Sequence, residues 1–318
     1  MLILVEGPDC AGKSTIIERI VRQIALATHD EPSWILHKGP PTRHPIVEYE
    51  LELLTWNPAA HVVADRWHLG EVVYPAIMDR ESKLDRAALS HIELFLAKCG
   101  ALLVHCNRGQ WKLRECIQSR GDDYVTVDQV GALRQGFIES VSASLLPSVT
   151  LDVDRGVTDG DVARVVRLAR YHQRMTAPLQ QFVTYVGGPR PNVLLLGDVR
   201  KGHQDAVLPG LDPADVPAFV PFSATSGHYL FTHLGPLTRN QLGVANACDV
   251  DDVDALWDTL GRPYVVAMGT RAHRVVQRSR VSNFHHVQHP QYRRRFLHDQ
   301  GAQYRDAIFN RQLAVAAK

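Results

Sequence analysis

The sequence predicts an α/β protein, in which a parallel-sheet domain is followed by a smaller α/β domain. Three observations predict it. Short apolar runs alternate with helical stretches through the first half, the pattern of a parallel sheet covered on both faces. The first run leads directly into Gly7-Pro8-Asp9-Cys10-Ala11-Gly12-Lys13-Ser14, which matches G-x-x-x-x-G-K-[ST]. A turn-rich stretch, residues 185–192, then separates this half from a second set of apolar strands and short helices. The expected division is a first domain over residues 1–184, a linker over 185–192 and a second domain over 193–318.

In order, residues 1–5 (MLILV) read as a buried first strand. Residues 14–26 place Ile16, Ile17, Ile20, Val21 and Ile24 at helical spacing. Residues 34–38 form a short strand, 47–54 an amphipathic helix, and 61–66 a strand ending in charge. Residues 84–99 are a helix with Gly100 as its stop, and 101–105 a buried strand. Helices are expected over 108–120, 126–145 and 159–171, with a strand over 148–153. In the second half, 193–197, 243–247 and 264–269 are strands, and 251–260 and 270–278 are helices. Residues 291–311 carry Arg293, Arg294, Arg295, Arg305 and Arg311, a basic helix whose plain reading is a solvated face.

At 318 residues the chain is comfortable for two domains. Apolar content of 45% and charged content of 22% fit globular cores. A net charge of +1 gives no global field toward nucleic acid, although a local patch stays open. The five cysteines form no CxxC pair and no disulfide framework, which argues for a reduced cytoplasmic compartment and against a cysteine zinc site. No basic leader precedes the first strand and no apolar run reaches membrane-span length, so the expectation is a soluble protein without a membrane partner. Of the 16 histidines, only His285, His286 and His289 lie close together in sequence.

Strand, glycine-rich turn and helix are the setting in which the Gly7–Ser14 pattern, a P-loop, binds phosphate. Backbone N–H groups of the turn and the helix start converge on a β-phosphate. Lys13 is expected to face solvent and add charge at the β/γ oxygens, and the Ser14 hydroxyl to ligand Mg²⁺. Gly7 and Gly12 allow the close approach, and Thr15 follows in the helix. The wider segment Glu6-Gly7-Pro8-Asp9-Cys10-Ala11-Gly12-Lys13-Ser14-Thr15 resembles the thymidylate kinase family, whose loop reads E-G-x-D-x-x-G-K-[ST]-T. The resemblance implies a P-loop NTPase sheet domain, ATP and Mg²⁺ as donor and cofactor, and a role for Asp9 at the acceptor sugar and the metal shell. Asp65-Arg66-Trp67 resembles the family's D-R-[YW] element, with Asp65 near Mg²⁺ and Arg66 on phosphate. Charge at the carboxyl end of a parallel strand also belongs in the ligand crevice on physical grounds. Where the family has an R-E-P-G segment, this chain has His37-Lys38-Gly39-Pro40, so Lys38 is the nearest acceptor cation. Trp67 and Tyr74 are read either as acceptor-base stackers or as core. Residues 113–124 resemble the family's lid, which makes Arg114 and Arg120 alternative phosphate-closing charges.

Separated pieces of the second half resemble the uracil-DNA glycosylase superfamily. Leu196-Gly197-Asp198 matches the turn whose side chain orients water, and Pro221-Phe222-Ser223 the segment whose Phe stacks on uracil. Val244-Ala245-Asn246 matches the strand whose Asn reads the base edge, and His289-Pro290-Gln291 the motif whose His supports charge on O2. The resemblance implies a pyrimidine pocket of Asp198, Phe222, Asn246 and His289. The chain departs from the family after Asp198 (Val-Arg-Lys) and at Gln291, where Ser is usual.

Together these readings imply a nucleotide kinase acting on a deoxypyrimidine nucleotide, of the kind fused to base-binding domains in phages. Two alternatives are carried with it: a kinase of 5-hydroxymethyluracil in DNA with the second domain as DNA reader, and a base-excising glycosylase with an accessory nucleotide-binding domain. The partner is a small nucleotide, DNA enters through the second domain in the alternatives, and a homodimer is left open.

Overall fold

A computed structural model of the chain describes residues 1–36, 41, 48–49, 60–121, 125–182, 185–198, 229–230, 234, 242–247, 250–290, 304 and 306–307. Lys38, Phe222, most of the expected helix 47–54 and most of the basic tail lie outside the described residues.

By contact the chain divides into two compact units. The first is Met1–Leu84 with Cys99–Met175, and the second is Asp85–Lys98 with Thr176–Lys318. In the first unit the elements run β1 (Leu2–Glu6), α1 (Lys13–Thr28), β2 (Ser33–Leu36), β3 (Val62–Asp65) and α2 (His68–Ile77). In the second unit α3 (Arg86–Lys98) follows, and the chain then continues in the first with β4 (Leu102–Asn107), α4 (Gln110–Arg120), a short 3₁₀ turn Val127–Gln129, α5 (Val130–Ala143), β5 (Ser148–Asp152) and α6 (Asp159–Thr176). The rest of the second unit has β6 (Val186–Gly187), β7 (Val193–Gly197), β8 (Leu242–Asn246), α7 (Val253–Thr259), β9 (Tyr264–Met268), α8 (Thr270–Gln277) and β10 (Phe284–Val287).

The first sheet is parallel throughout, in the order β2-β3-β1-β4-β5. Side chains alternate across it. Met1, with Ile3 and Val5 of β1, joins Val104 and Cys106 of β4 in one core with Ile16, Ile17, Ile20 and Ile24 of α1, Leu113 and Ile117 of α4, and Val162, Val165 and Val166 of α6. The intervening Leu2, Leu4 and Glu6 are equally buried on the other face, which explains why β1 reads as a continuous apolar run rather than an alternating one. From β1 the chain crosses to β2 on one side of the sheet, and after β3 it crosses back past β1 to β4 on the other, so the crevice beyond the carboxyl ends of these central strands is the topological switch point, the usual ligand position in such sheets.

The second sheet has the order β10-β9-β7-β8-β6, parallel except for β6. Its core joins Leu194 and Leu196 of β7 to Leu256 and Trp257 of α7 and Ala272 and Val276 of α8. Within the stretch expected to be a linker, Val186–Gly187 pairs antiparallel with β8 as a strand. In this unit α3 is held by Lys98, whose Nζ donates to the Phe182 carbonyl at 2.8 Å, and by Gln180 Nε2, which donates to the Lys98 carbonyl at 3.0 Å.

Candidate functional site

The P-loop joins β1 to α1 at the switch point. Gly7 sits at φ +146° with its α-carbon against β4, where a Cβ would meet the Cys106 carbonyl oxygen at 2.6 Å. Gly12 caps α1 in the left-handed region at φ 80°. The Arg108 guanidinium, just beyond β4, donates to the Cys10 carbonyl at 2.7 Å and lies 3.7 Å from Asp154. Asp154 in turn accepts from the Gly109 amide at 2.7 Å. Groups following the ends of β4 and β5 thus buttress the loop.

Lys13 is the first residue of α1 and is only 6% exposed, not solvent-facing as the sequence suggests. Its ammonium folds back onto its own loop, donating to the Gly7 carbonyl at 2.9 Å and the Pro8 carbonyl at 2.8 Å, with Asp9 at 3.8 Å. Burial, then the Arg66 charge, hold its pKa below the ordinary value, while Asp9 and Asp65 pull the other way.

Asp65 ends β3 and is 4% exposed. Burial raises its pKa, opposed by Lys13 and Arg66 and by a hydrogen bond from Ser14. Its Oδ1 is buried with no hydrogen-bond partner among the described residues. An orphaned carboxylate oxygen beside a helix-start hydroxyl fits the two protein oxygens that Mg²⁺ takes when phosphates and water fill its other positions. Among the described residues no three His, Cys, Asp or Glu side chains form a cage that would hold a metal by protein ligands alone.

Arg66 adopts a left-handed backbone (φ 69°), rare for a residue with a Cβ, and its guanidinium bonds Asp9 Oδ1. Its pKa lies above the ordinary value: burial lowers it, but Asp9, Tyr74 and Asp65 more than offset that. The Tyr74 hydroxyl donates to Asp9 Oδ2 at 2.8 Å, so Asp9 is gripped at both oxygens. The Tyr74 ring is edge-on to Phe137 at 6.0 Å. Trp67 is buried and stacked on Tyr49 at 5.5 Å.

Asp9, Gly12, Lys13, Ser14, Thr15, Asp65 and Arg66 line one cleft of about 420 Å³, together with Arg120 and Gly121. Arg120 is therefore brought to the loop. Arg114 is turned to the Val127 carbonyl, 3.3 Å away, and to Asp128 at 3.9 Å.

Sequence reasoning missed Glu6 as a positioning residue. It is wholly buried, and its Oε1 accepts from the Trp67 amide at 2.9 Å and the Leu69 amide at 3.2 Å. It supplies from β1 the acceptor that the start of α2 lacks locally, and so fixes the backbone on which Asp65 and Arg66 are carried. The available signal was an acid closing an otherwise apolar strand.

Burial raises the pKa of Glu6, against His68 and the two amides, which lower it. The folded protein then binds this proton more tightly than the unfolded chain does. Stability from this group is present below its ordinary value of 4.5 and is lost as pH rises toward the folded value. Glu6→Gln keeps the accepting oxygen and removes the titration. Its denaturation free energy is expected to fall less than that of the wild type as pH rises above 4.5. Parallel pH profiles for the two proteins would contradict this.

In the second unit Asn246, Gly197, Met268 and Val287 lie in one row across β8, β7, β9 and β10. Asp198 and His289 follow within two residues of that edge, so Asp198, Asn246 and His289 share the carboxyl end of one parallel sheet. Asn246 is 1% exposed and its Nδ2 has no hydrogen-bond partner among the described residues. Asp198 Oδ1 accepts from the Ala272 amide at 2.7 Å, within the first turn of α8. Gly269 at φ +106° makes room for it, since a Cβ there would fall 2.3 Å from that carboxylate. The His273 and His286 rings stack at 4.3 Å.

No family model matches the chain, and no curated protein matches it. Among solved structures it is similar to YorR protein from Bacillus subtilis, solved in complex with phosphorylated GDP. That match has 19% identity and a TM-score of 0.44, covering 55% of this chain and 98% of that one. It is also similar to deoxyadenosine kinase from M. mycoides with bound dATP, at 14% identity and a TM-score of 0.34, covering 52% of this chain and 97% of that one.

Proposed function

We propose that the first unit is an ATP- and Mg²⁺-dependent phosphotransferase acting on a deoxypyrimidine nucleotide, and that the second unit holds a pyrimidine base. The observation that carries the first part is the single cleft in which the P-loop, Lys13, Ser14, Asp65, Arg66 and Arg120 meet. Phosphoryl transfer asks a protein chiefly for positioning and neutralisation of charge, and this cleft offers both. The loop amides and the α1 terminus receive the triphosphate, with Lys13 at the β/γ oxygens. Ser14 and Asp65 would hold Mg²⁺, which when bound would supply neutralising positive charge to the phosphates. Arg66, oriented by Asp9, takes the acceptor phosphate bidentately, and Arg120 closes on the transferring group.

The test is γ-phosphoryl transfer from labelled ATP to free deoxynucleosides, deoxynucleoside monophosphates, and oligonucleotides with and without 5-hydroxymethyluracil. Transfer to a pyrimidine monophosphate is the expected result. Transfer only to the modified oligonucleotide moves the acceptor to DNA, and transfer to none removes the assignment.

The second part rests on Asn246, whose buried Nδ2 is unpaired among the described residues and whose amide can face the N3–H and O4 of uracil or thymine. A buried donor without a partner costs stability in the free protein. Asn246→Ala is therefore expected to leave the melting temperature unchanged or raised, while weakening binding of a uracil- or thymine-containing oligonucleotide by about 1–3 kcal/mol. Scanning calorimetry of the full chain measures the melting temperature and calorimetric titration the affinity, and equal affinity in the variant would count against a base pocket at this edge.

A further inference from the structure

Among the described residues, Asp9 is the one acid within ion-pair distance of both Lys13 and Arg66. Its Oδ1 accepts from Arg66 Nη2 and stands 3.8 Å from the Lys13 ammonium. Its Oδ2 accepts from the Tyr74 hydroxyl at 2.8 Å. Asp9, Lys13 and Arg66 all line the phosphate cleft. The Asp9 side chain is 20% exposed and that of Arg66 29%, so their pairing is partly shielded from water and stronger than one on an open surface. Tyr74 is seated from behind. Its ring is edge-on to Phe137 of α5, and its neighbour Val73 lies so close to α5 that a Cβ on Gly136 would meet it at 2.8 Å.

We propose that Asp9 is a specificity-determining residue, an internal anion that competes with phosphate for the Arg66 guanidinium. A carboxylate and a phosphate use the same guanidinium donors, so a phosphate that enters must take Arg66 from Asp9 Oδ1. Inorganic phosphate has few other contacts to offset that exchange. A nucleotide brings its base and sugar as well. Asp9 thereby lowers the affinity of the cleft for bare phosphate, and selection against the wrong ligand by a built-in competitor is as effective as added contacts to the right one.

Tyr74 is the positioning residue of this exchange. Its hydroxyl holds Oδ2 while Oδ1 gives up Arg66, so the carboxylate is not stranded without a donor, which would be costly this close to the interior. The role rests on the cleft being the phosphate site proposed above. It differs in sign from a part in the metal shell or at the acceptor sugar. Losing a group that contributes to binding weakens binding, whereas losing a competitor strengthens it.

The experiment titrates the full chain with inorganic phosphate calorimetrically, in EDTA so that no metal takes part. Circular dichroism melts establish that each variant is folded. Asp9→Asn keeps the side-chain shape and removes its charge. It is expected to bind phosphate about tenfold more tightly than the wild type, the worth of one charge-assisted hydrogen bond no longer competed for. In an Arg66→Gln background the same change should lose most of that gain, because the contested cation is gone. Tyr74→Phe keeps the ring on Phe137 and should bind phosphate about two- to tenfold more weakly, since the released carboxylate then lacks its hydroxyl partner. Equal or weaker phosphate binding by folded Asp9→Asn, a gain undiminished in the Arg66→Gln background, or tighter binding by Tyr74→Phe would each overturn the proposal. The phosphotransferase reading fails separately. If these affinities change as expected but no acceptor is phosphorylated, that reading falls and the competition stands. If an acceptor is phosphorylated while Asp9→Asn gains no phosphate affinity, the competition alone falls.

Discussion

Lys13→Ala is expected to lower phosphoryl transfer by about 10²–10³-fold, the usual cost of removing one preorganised donor from developing charge. Lys13 is buried and spans its own loop, with its ammonium on the Gly7 and Pro8 carbonyls. An incoming phosphate finds that charge within the cradle, already stripped of water, where it acts at low dielectric. Removing it deletes the cation and also leaves two carbonyls to water, so some loosening of the turn accompanies the loss. The sheet and α1 core do not depend on it, because Ile16, Ile17, Ile20 and Ile24 make the packing contacts. Circular dichroism melts establish folding, and single-turnover assays at saturating ATP measure the step. Normal turnover by a folded Lys13→Ala protein would remove the kinase assignment.

What the sequence made legible is what is local. The P-loop is read from eight consecutive residues and the strand and helix on either side. The strands beginning at Leu2, Leu102 and Val193 are buried on both faces and so appear as unbroken apolar runs. Local signals fail where partners are distant. Arg114 and Arg120 share one helix and look equivalent, and their fates differ only because Leu113 and Ile117 turn α4 against the loop. Glu6 gains its role from amides 61 and 63 residues away, at Trp67 and Leu69. The helix His68–Ile77 went unread because Gly70 and Pro75 interrupt its pattern, and β10 because Phe-His-His-Val shows no clear alternation. The grouping of α3 with residues after 176 depends on bonds such as Lys98 to Phe182, which no window along the chain contains.

Gly7→Ala is expected to be the most damaging single methyl group that this chain can receive in its nucleotide loop. Two penalties act together. At φ +146° the backbone lies in a region that residues with a Cβ rarely adopt, at a cost of about 1–3 kcal/mol. The new Cβ would also lie 2.6 Å from the Cys106 carbonyl oxygen. That atom cannot rotate away, because β4 is hydrogen-bonded between β1 and β5. Overpacking against fixed structure costs about 1–3 kcal/mol more. Relief is available only if the P-loop lifts off β4, which moves the turn out of register with the start of α1. Loss of ATP binding should therefore accompany a fall in stability of about 2–6 kcal/mol, the sum of the two terms. Gly156→Ala is the matched control: its φ is also positive, at +81°, but nothing lies within 4 Å of the added carbon. It should show the strain cost alone and retain ATP binding. Urea denaturation gives the two stabilities and calorimetry the two affinities. If Gly7→Ala is no worse than Gly156→Ala in either measurement, the close contact between the loop and β4 is not what holds the cleft in shape.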